Sequence, residues 1–306
     1  MQRFAPFALM LALLVAPAAA QDKGTLEPPQ LAPLVNPHDP KIAAKELFGR
    51  KPIPFPGPAH VIGFYAKGCL AGATPLPIDG DTWQVMRLSR NRNWGHPKLI
   101  ALLERLSKKV HQVALWPGLL FGDISQPRGG PMLTGHGSHQ IGLDADIWLT
   151  PMPNRKLSRL EREEMSATMV VADNRREVDP KVWTAGHAAA IRAAAEESQV
   201  ERIFVNAAIK KRLCQEAQGS RAWLSKVRPW WGHDYHFHIR MHCPEGEKEC
   251  KGQDPPGAGD GCGHELDFWF RDSVLFPKQP LIPPKPKPPM PLAELPPGCR
   301  QLAFAP

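Results

Sequence analysis

Beyond its first twenty residues the 306-residue chain has no apolar run near the roughly 20 positions that a membrane-spanning helix needs. It also lacks H-E-x-x-H, because its one His-Glu pair, His264-Glu265, has no second histidine at the required spacing. This excludes the common helix-borne zinc protease. The absence of S-x-x-K and of G-x-S-x-G argues against a serine acyl-enzyme of either usual kind. Gly135-x-Gly137-x-x-Gln140 is missing the third glycine of a nucleotide loop. No C-x-x-C pair occurs, which weakens the alternative of a zinc knuckle made from Cys243, Cys250, Cys262 and His264.

The ends and the composition bound what is present. Residues 1–20 combine a basic start at Arg3, an apolar run through Leu14 and Val15, and the small residues Ala18, Ala19 and Ala20. That pattern is a secretory signal peptide cut before Gln21, with no nearby cysteine to carry a lipid anchor. About 285 residues remain, enough for one large domain or two small ones. The six cysteines form an even set in an exported chain and so read as disulfides, with 15 pairings open and no thiol left over as a nucleophile. The net charge of +8 suits an acidic partner such as cell-wall polymer, anionic lipid or nucleic acid, but serves solubility equally well. Charge chooses no function.

Four segments organise the chain. Residues 1–20 are the signal peptide, 21–58 a proline-rich extended arm, 59–276 the catalytic domain, and 277–306 a proline-rich tail that Cys299 would tie back. Within the domain, residues 96–113 carry apolar positions at Leu99, Leu102, Leu103, Leu106 and Val110, a helical stripe. The alanine-rich stretch 182–198 and residues 207–217 also read as helices, and residues 200–206 as a strand. The fold class is α+β.

Chemistry concentrates in two windows. The first, GHGSHQIGLDADIWL, holds His136, His139, Asp144 and Asp146. The second, PWWGHDYHFHIRMH, holds His233, His236, His238 and His242. In a strand, LDADIWL turns Asp144 and Asp146 to one face, and DYHFHIR does the same for Asp234, His236 and His238. Two such strands side by side would present carboxylates and imidazoles across one surface, with His139 approaching from a turn allowed by Gly142. Zinc takes nitrogen and carboxylate oxygen, and a catalytic site uses three protein ligands plus water. His139, Asp146 and His238 make a chemically sensible set. With no serine or thiol nucleophile in view, metal-activated water remains.

RGGPMLTGHGSHQIGLDADIWL with WWGHDYHFHIR resembles the penicillin-insensitive murein endopeptidases, a branch of the zinc peptidases that include lysostaphin, D-Ala-D-Ala peptidases and the hedgehog domain. GCLAGATPLP and RIFVNAAIKKRLC extend the likeness over most of the chain from about residue 60 to 299. The resemblance implies a small antiparallel sheet carrying zinc on His139, Asp146 and His238. It implies periplasmic cleavage of the D-alanyl-meso-diaminopimelyl cross-link of peptidoglycan, with no serine for a β-lactam to acylate. His236 matches the catalytic histidine, with His233 a second candidate. Asp144 is a candidate supporting group behind the ligands, and His136 a further ligand or pocket residue. Trp230 and Trp231 would wall the substrate groove. The implied cysteine pairs are Cys69–Cys299, Cys214–Cys262 and Cys243–Cys250. A D,D-carboxypeptidase, an L,D-endopeptidase and a non-catalytic zinc-containing wall-binding module are the rival functions, and the sequence leaves oligomeric state open.

Overall fold

A computed structural model of the protein describes residues 23–39, 41–278, 285 and 287–306; the expected signal segment, residues 1–20, lies outside them. Eleven strands form among the described residues: β1 His60–Phe64, β2 Lys67–Ala71, β3 Thr74–Pro75, β4 Asp79–Gly80, β5 Trp83–Val85, β6 Trp94–Gly95, β7 Leu119–Phe121, β8 Asp144–Trp148, β9 Val200–Val205, β10 Val227–Pro229 and β11 His236–Met241. The helices are α1 Ala44–Phe48, α2 Pro97–Ala114, α3 Arg159–Glu164, α4 Ala185–Ala195, α5 Ala207–Glu216, α6 Asp272–Leu275 and α7 Gly298–Phe304.

The long helix forms where its stripe says it should. His96 caps α2, its Nδ1 accepting the Lys98 amide at 3.1 Å, and Pro97 occupies the first turn, where its missing N–H costs nothing. Leu99, Leu102, Leu103, Leu106 and Val110 are fully buried, and α4 packs against this helix. Removing one such leucine side chain would cost about 2–5 kcal/mol.

The central sheet has seven strands in the order β10-β9-β11-β8-β7-β5-β4. It is larger than the small antiparallel sheet that the family resemblance implied, and it is mixed. β5 pairs parallel with β7, and β9 parallel with β10. A parallel pair needs a long crossover, which α2 supplies between β5 and β7 and α5 between β9 and β10. β4, β5, β7 and β10 are two or three residues long, too short for alternation to be read from sequence. The functional strands β8 and β11 lie inside the sheet, each flanked on both sides.

A second apolar cluster sits apart from the sheet. Ala44, Leu47 and Phe48 of α1 pack with Cys69, Leu295, Cys299 and Leu302, bringing α1 against α7. Residues 21–58 are thus not extended throughout, because the three apolar side chains of α1 gain a buried partner surface. Disulfides join Cys69 to Cys299, Cys214 to Cys262 and Cys243 to Cys250. With those sulfurs bonded to one another, the zinc-knuckle alternative falls.

Candidate metal centre

β8 and β11 run antiparallel with His238 opposite Asp146 and Arg240 opposite Asp144. Alternation does the sorting: Ala145, Ile147, Phe237 and Ile239 fill the core at 0 % exposure, so the acids and imidazoles turn to the other face. Asp234 does not join them on the strand. β11 begins at His236, and Asp234 sits in the preceding loop, lining the groove while its carbonyl accepts the Val170 amide.

His139 arrives from the loop before β8 in a left-handed conformation, φ 65°. Its amide donates to Asp144 Oδ2 at 3.0 Å, and its Nδ1 donates to the Ile124 carbonyl at 2.7 Å. That second bond fixes the tautomer and leaves Nε2 as the nitrogen with a free lone pair. Gly142 permits the turn: at φ 64° a Cβ there would meet Leu70 Cδ2 at 2.4 Å.

Asp146 is enclosed by imidazoles. His238 Nδ1 lies 3.1 Å and His139 Nε2 3.4 Å from Oδ1; His136 Nε2 lies 3.5 Å from Oδ2, and His236 Nε2 3.6 Å from Oδ1. Among the described residues no lysine or arginine pairs with it in a salt bridge. The other buried aspartates differ. Asp144 receives Arg240 on both oxygens at 2.8 and 3.1 Å, and Asp123 receives Arg90 at 3.0 Å and Arg92 at 2.8 Å. Burial works to raise the Asp146 carboxyl, yet His139, His236 and His136 together hold it well below the carboxylate range.

The donor set fits a divalent cation. His139 Nε2 and Asp146 Oδ1 are buried without a hydrogen-bond partner, as is His236 Nδ1. His238 Nε2 is 3.1 Å from Asp144 Oδ1, but too far off line to bond. Orphaned polar atoms of this kind are costly unless something binds them. His136, His139 and Asp146 offer ligand atoms within 4.8 Å of one another, and the His238 ring lies 4.6 Å from that of His139. The geometry therefore gathers His136 with the three residues expected as ligands. His136 Nε2 is also bonded to Asp123 Oδ2 at 2.9 Å, which anchors it at the rim.

A groove of about 810 Å³ opens beside these groups, lined by His136, Asp146, His233, His236, Trp230 and Trp231 among others. His233 follows Gly232 in a turn where both have positive φ, and its Nδ1 donates to the Trp231 carbonyl at 2.8 Å. Asn206 ties this turn to the fold, capping α5 with its oxygen and donating its side-chain amide to the Gly232 carbonyl. Burial pushes His236 down to about 4, with His238, His136 and His139 adding to it against Asp146. Burial likewise pushes His233 down to about 3, with His236 and His238 adding to it. Both rings are neutral at pH 7. His242, outside this cluster, is exposed and within 4.0 Å of Glu201.

Asp123 and Arg240 were not foreseen. Arg240 had a signal, being the next residue on the His236-His238 face. Asp123 had none, because its partners lie 13 to 33 positions away in the chain.

Residues 61–303 match the family model of the penicillin-insensitive murein endopeptidases. The chain is 46% identical over 243 residues to a protein of that name from Haemophilus influenzae, covering 78% of this chain and 84% of the relative. It is 43% identical over 249 residues to the Klebsiella pneumoniae protein of the same name, covering 81% and 88%. The Yersinia enterocolitica one is also 43% identical over 249 residues, covering 81% and 87%. On this match the chain belongs to the penicillin-insensitive murein endopeptidase family.

Proposed function

We propose that the protein is a zinc-dependent DD-endopeptidase that hydrolyses D-alanyl-meso-diaminopimelyl cross-links of peptidoglycan, exported to the periplasm by residues 1–20. Three disulfides suit that oxidising compartment. The observation that carries the reading is the convergence of His139 Nε2 and His238 Nδ1 on the buried Asp146 Oδ1, a carboxylate that pairs with no lysine or arginine among the described residues. These are the proposed ligands, with His136 a fourth group at the rim. A bound zinc ion would polarise the scissile carbonyl and ease deprotonation of the attacking water.

The chain's own groups do the rest. His236, kept neutral by burial, accepts the proton of the attacking water and returns it to the leaving amine. His233, whose ring lies 4.8 Å from that of His236, has an unprotonated Nε2 because its Nδ1 donates to the Trp231 carbonyl, and shares the proton work as an acceptor. Asp144 orients two ligands, bonding the His139 amide and facing His238, while Arg240 holds Asp144. Trp230 and Trp231 form an aromatic wall along the groove. No serine is acylated at any point, which accounts for indifference to penicillin.

The test is product analysis on purified cross-linked muropeptide dimers, with and without a chelator, followed by zinc restoration. Monomers that form only with metal present are expected. Free D-alanine with intact dimers would instead indicate a carboxypeptidase, cleavage within the stem an L,D-endopeptidase, and tight zinc binding without product a wall-binding module.

A further inference from the structure

His139 sits in a conformation that L side chains rarely adopt, φ 65°, so its surroundings must over-determine it. Two of the restraints lie in the site itself, the Asp144 carboxylate on its amide and the Ile124 carbonyl on its Nδ1. A third comes from the next residue. Gln140 is buried and does not line the groove, and its polar groups reach three other segments. Its main chain donates to the Tyr65 carbonyl at 3.0 Å and accepts the Gly130 amide at 2.8 Å. Its side-chain Oε1 accepts the Gly68 amide at 3.2 Å. Nε2 donates to the Ala66 carbonyl at 2.9 Å and comes within 3.5 Å of the Gly137 carbonyl. The side chain thus clamps the turn between β1 and β2 to the arm that leads into His139.

That clamp needs an amide, which accepts from one backbone group and donates to another. Glutamate would set a carboxylate against the Ala66 and Gly137 carbonyls, and an apolar residue would lose both side-chain bonds. The turn it grips is anchored on two further sides. Cys69 of β2 is bonded to Cys299, and the Tyr65 ring stacks 4.1 Å from the Arg240 guanidinium. Arg240 in turn forks the Asp144 carboxylate that bonds the His139 amide. Two routes therefore run from one turn to one imidazole, through Gln140 and through Arg240 with Asp144. Groups that hold a ligand in orientation set the affinity of the metal it binds. We propose that Gln140 is a positioning residue for the metal centre, keeping His139 Nε2 turned toward Asp146 by clamping the β1–β2 turn to the loop before β8. This rests on the ligand set of the endopeptidase reading above.

The test titrates zinc into the metal-free full mature chain in competition with a chromophoric chelator. Gln140→Met fills a similar volume without hydrogen bonds and should raise the zinc Kd about 10–100-fold, as should the more disruptive Gln140→Ala. In a His139→Ala background the methionine change should move Kd by less than about twofold, because the residue it acts through is gone. The metal-free chains carry a second signature. Long-range proton–nitrogen spectra should show the His139 ring as a single Nδ1–H tautomer in the wild type and as a mixture in Gln140→Met. An unchanged Kd in the methionine variant, or an equal loss with and without the His139 imidazole, overturns the assignment. Should the wild type take up no zinc, the endopeptidase reading fails and the ring spectra decide. A single tautomer kept in Gln140→Met would then overturn the positioning role.

Discussion

Arg240 reaches across from β11 to fork the Asp144 carboxylate on β8, Nε to Oδ1 at 2.8 Å and Nη2 to Oδ2 at 3.1 Å, with both side chains buried. The guanidinium is itself stacked 4.1 Å from the Tyr65 ring and 5.1 Å from that of Phe204. Burial acts to raise the Asp144 carboxyl, and Arg240 with His238 overcomes it and keeps the group ionised. Because the same carboxylate bonds the His139 amide, this pair fixes a loop as well as a charge.

Arg240→Ala should therefore cost about 3–5 kcal/mol, since it leaves a buried carboxylate without its cation. Arg240→Lys should recover only part, having no planar fork to match both oxygens. Urea unfolding of the metal-free chains measures this. A loss below about 1 kcal/mol for the alanine variant would contradict the assignment.

His236→Ala should retain zinc at one equivalent per chain, by elemental analysis, and lose about 10²–10⁴-fold in turnover of cross-linked dimers. Full activity would remove His236 as the proton carrier, and loss of metal would make it a ligand. The complementary change, Asp146→Ala, should lose both metal and activity.

Lys210 provides a pH signature of the fold itself. It is fully buried in α5, its Nζ bonding the Leu224 carbonyl at 2.7 Å and the Asp260 carbonyl, and burial, followed by Arg228, pushes its pKa down to about 7. The unfolded chain holds this proton up to about pH 10.4, so between the two values the folded state binds fewer protons. Stability contributed by this group is accordingly lowest below pH 7 and rises toward pH 10, by at most about 1.4 kcal/mol per unit. Lys210→Met should flatten that rise between pH 7.5 and 9.5 in parallel urea titrations. Identical slopes for the two proteins would show the lysine to be charged in the fold.

The Cys69–Cys299 bond spans 230 residues and pins α7 beside β2. Replacing both cysteines by serine should cost about 2–5 kcal/mol, chiefly by freeing the unfolded chain. Since neither cysteine lines the groove beside the histidines, dimer cleavage at 25 °C should change little while the melting temperature falls. A large loss of turnover in a folded variant would tie α7 to the site.

What could be read from the sequence followed from periodicity. The stripe through Leu99 and Val110 gave α2, and alternation in residues 143–149 and 234–240 gave β8 and β11 with their site-facing residues. The larger sheet was hidden because strands such as Asp79–Gly80 have no period to detect. Asp123 was hidden for a different reason: its role exists only once three distant segments carrying Arg90, Arg92 and His136 meet. Trp269 likewise became visible as part of a groove only when the Cys214–Cys262 bond brought its segment alongside Trp231.

The interior position of β8 and β11 has a consequence for motion. Amides of strands hydrogen-bonded on both flanks exchange with solvent only through near-global opening, so the groups facing the metal centre share the slowest-exchanging part of the molecule. The loop ahead of His139 and the turn at 232–233 lie outside these ladders and are held instead by side-chain bonds from Asp144 and Asn206. Substrate entry and product escape should then leave the pairing of β8 with β11 undisturbed, which hydrogen exchange during turnover would measure.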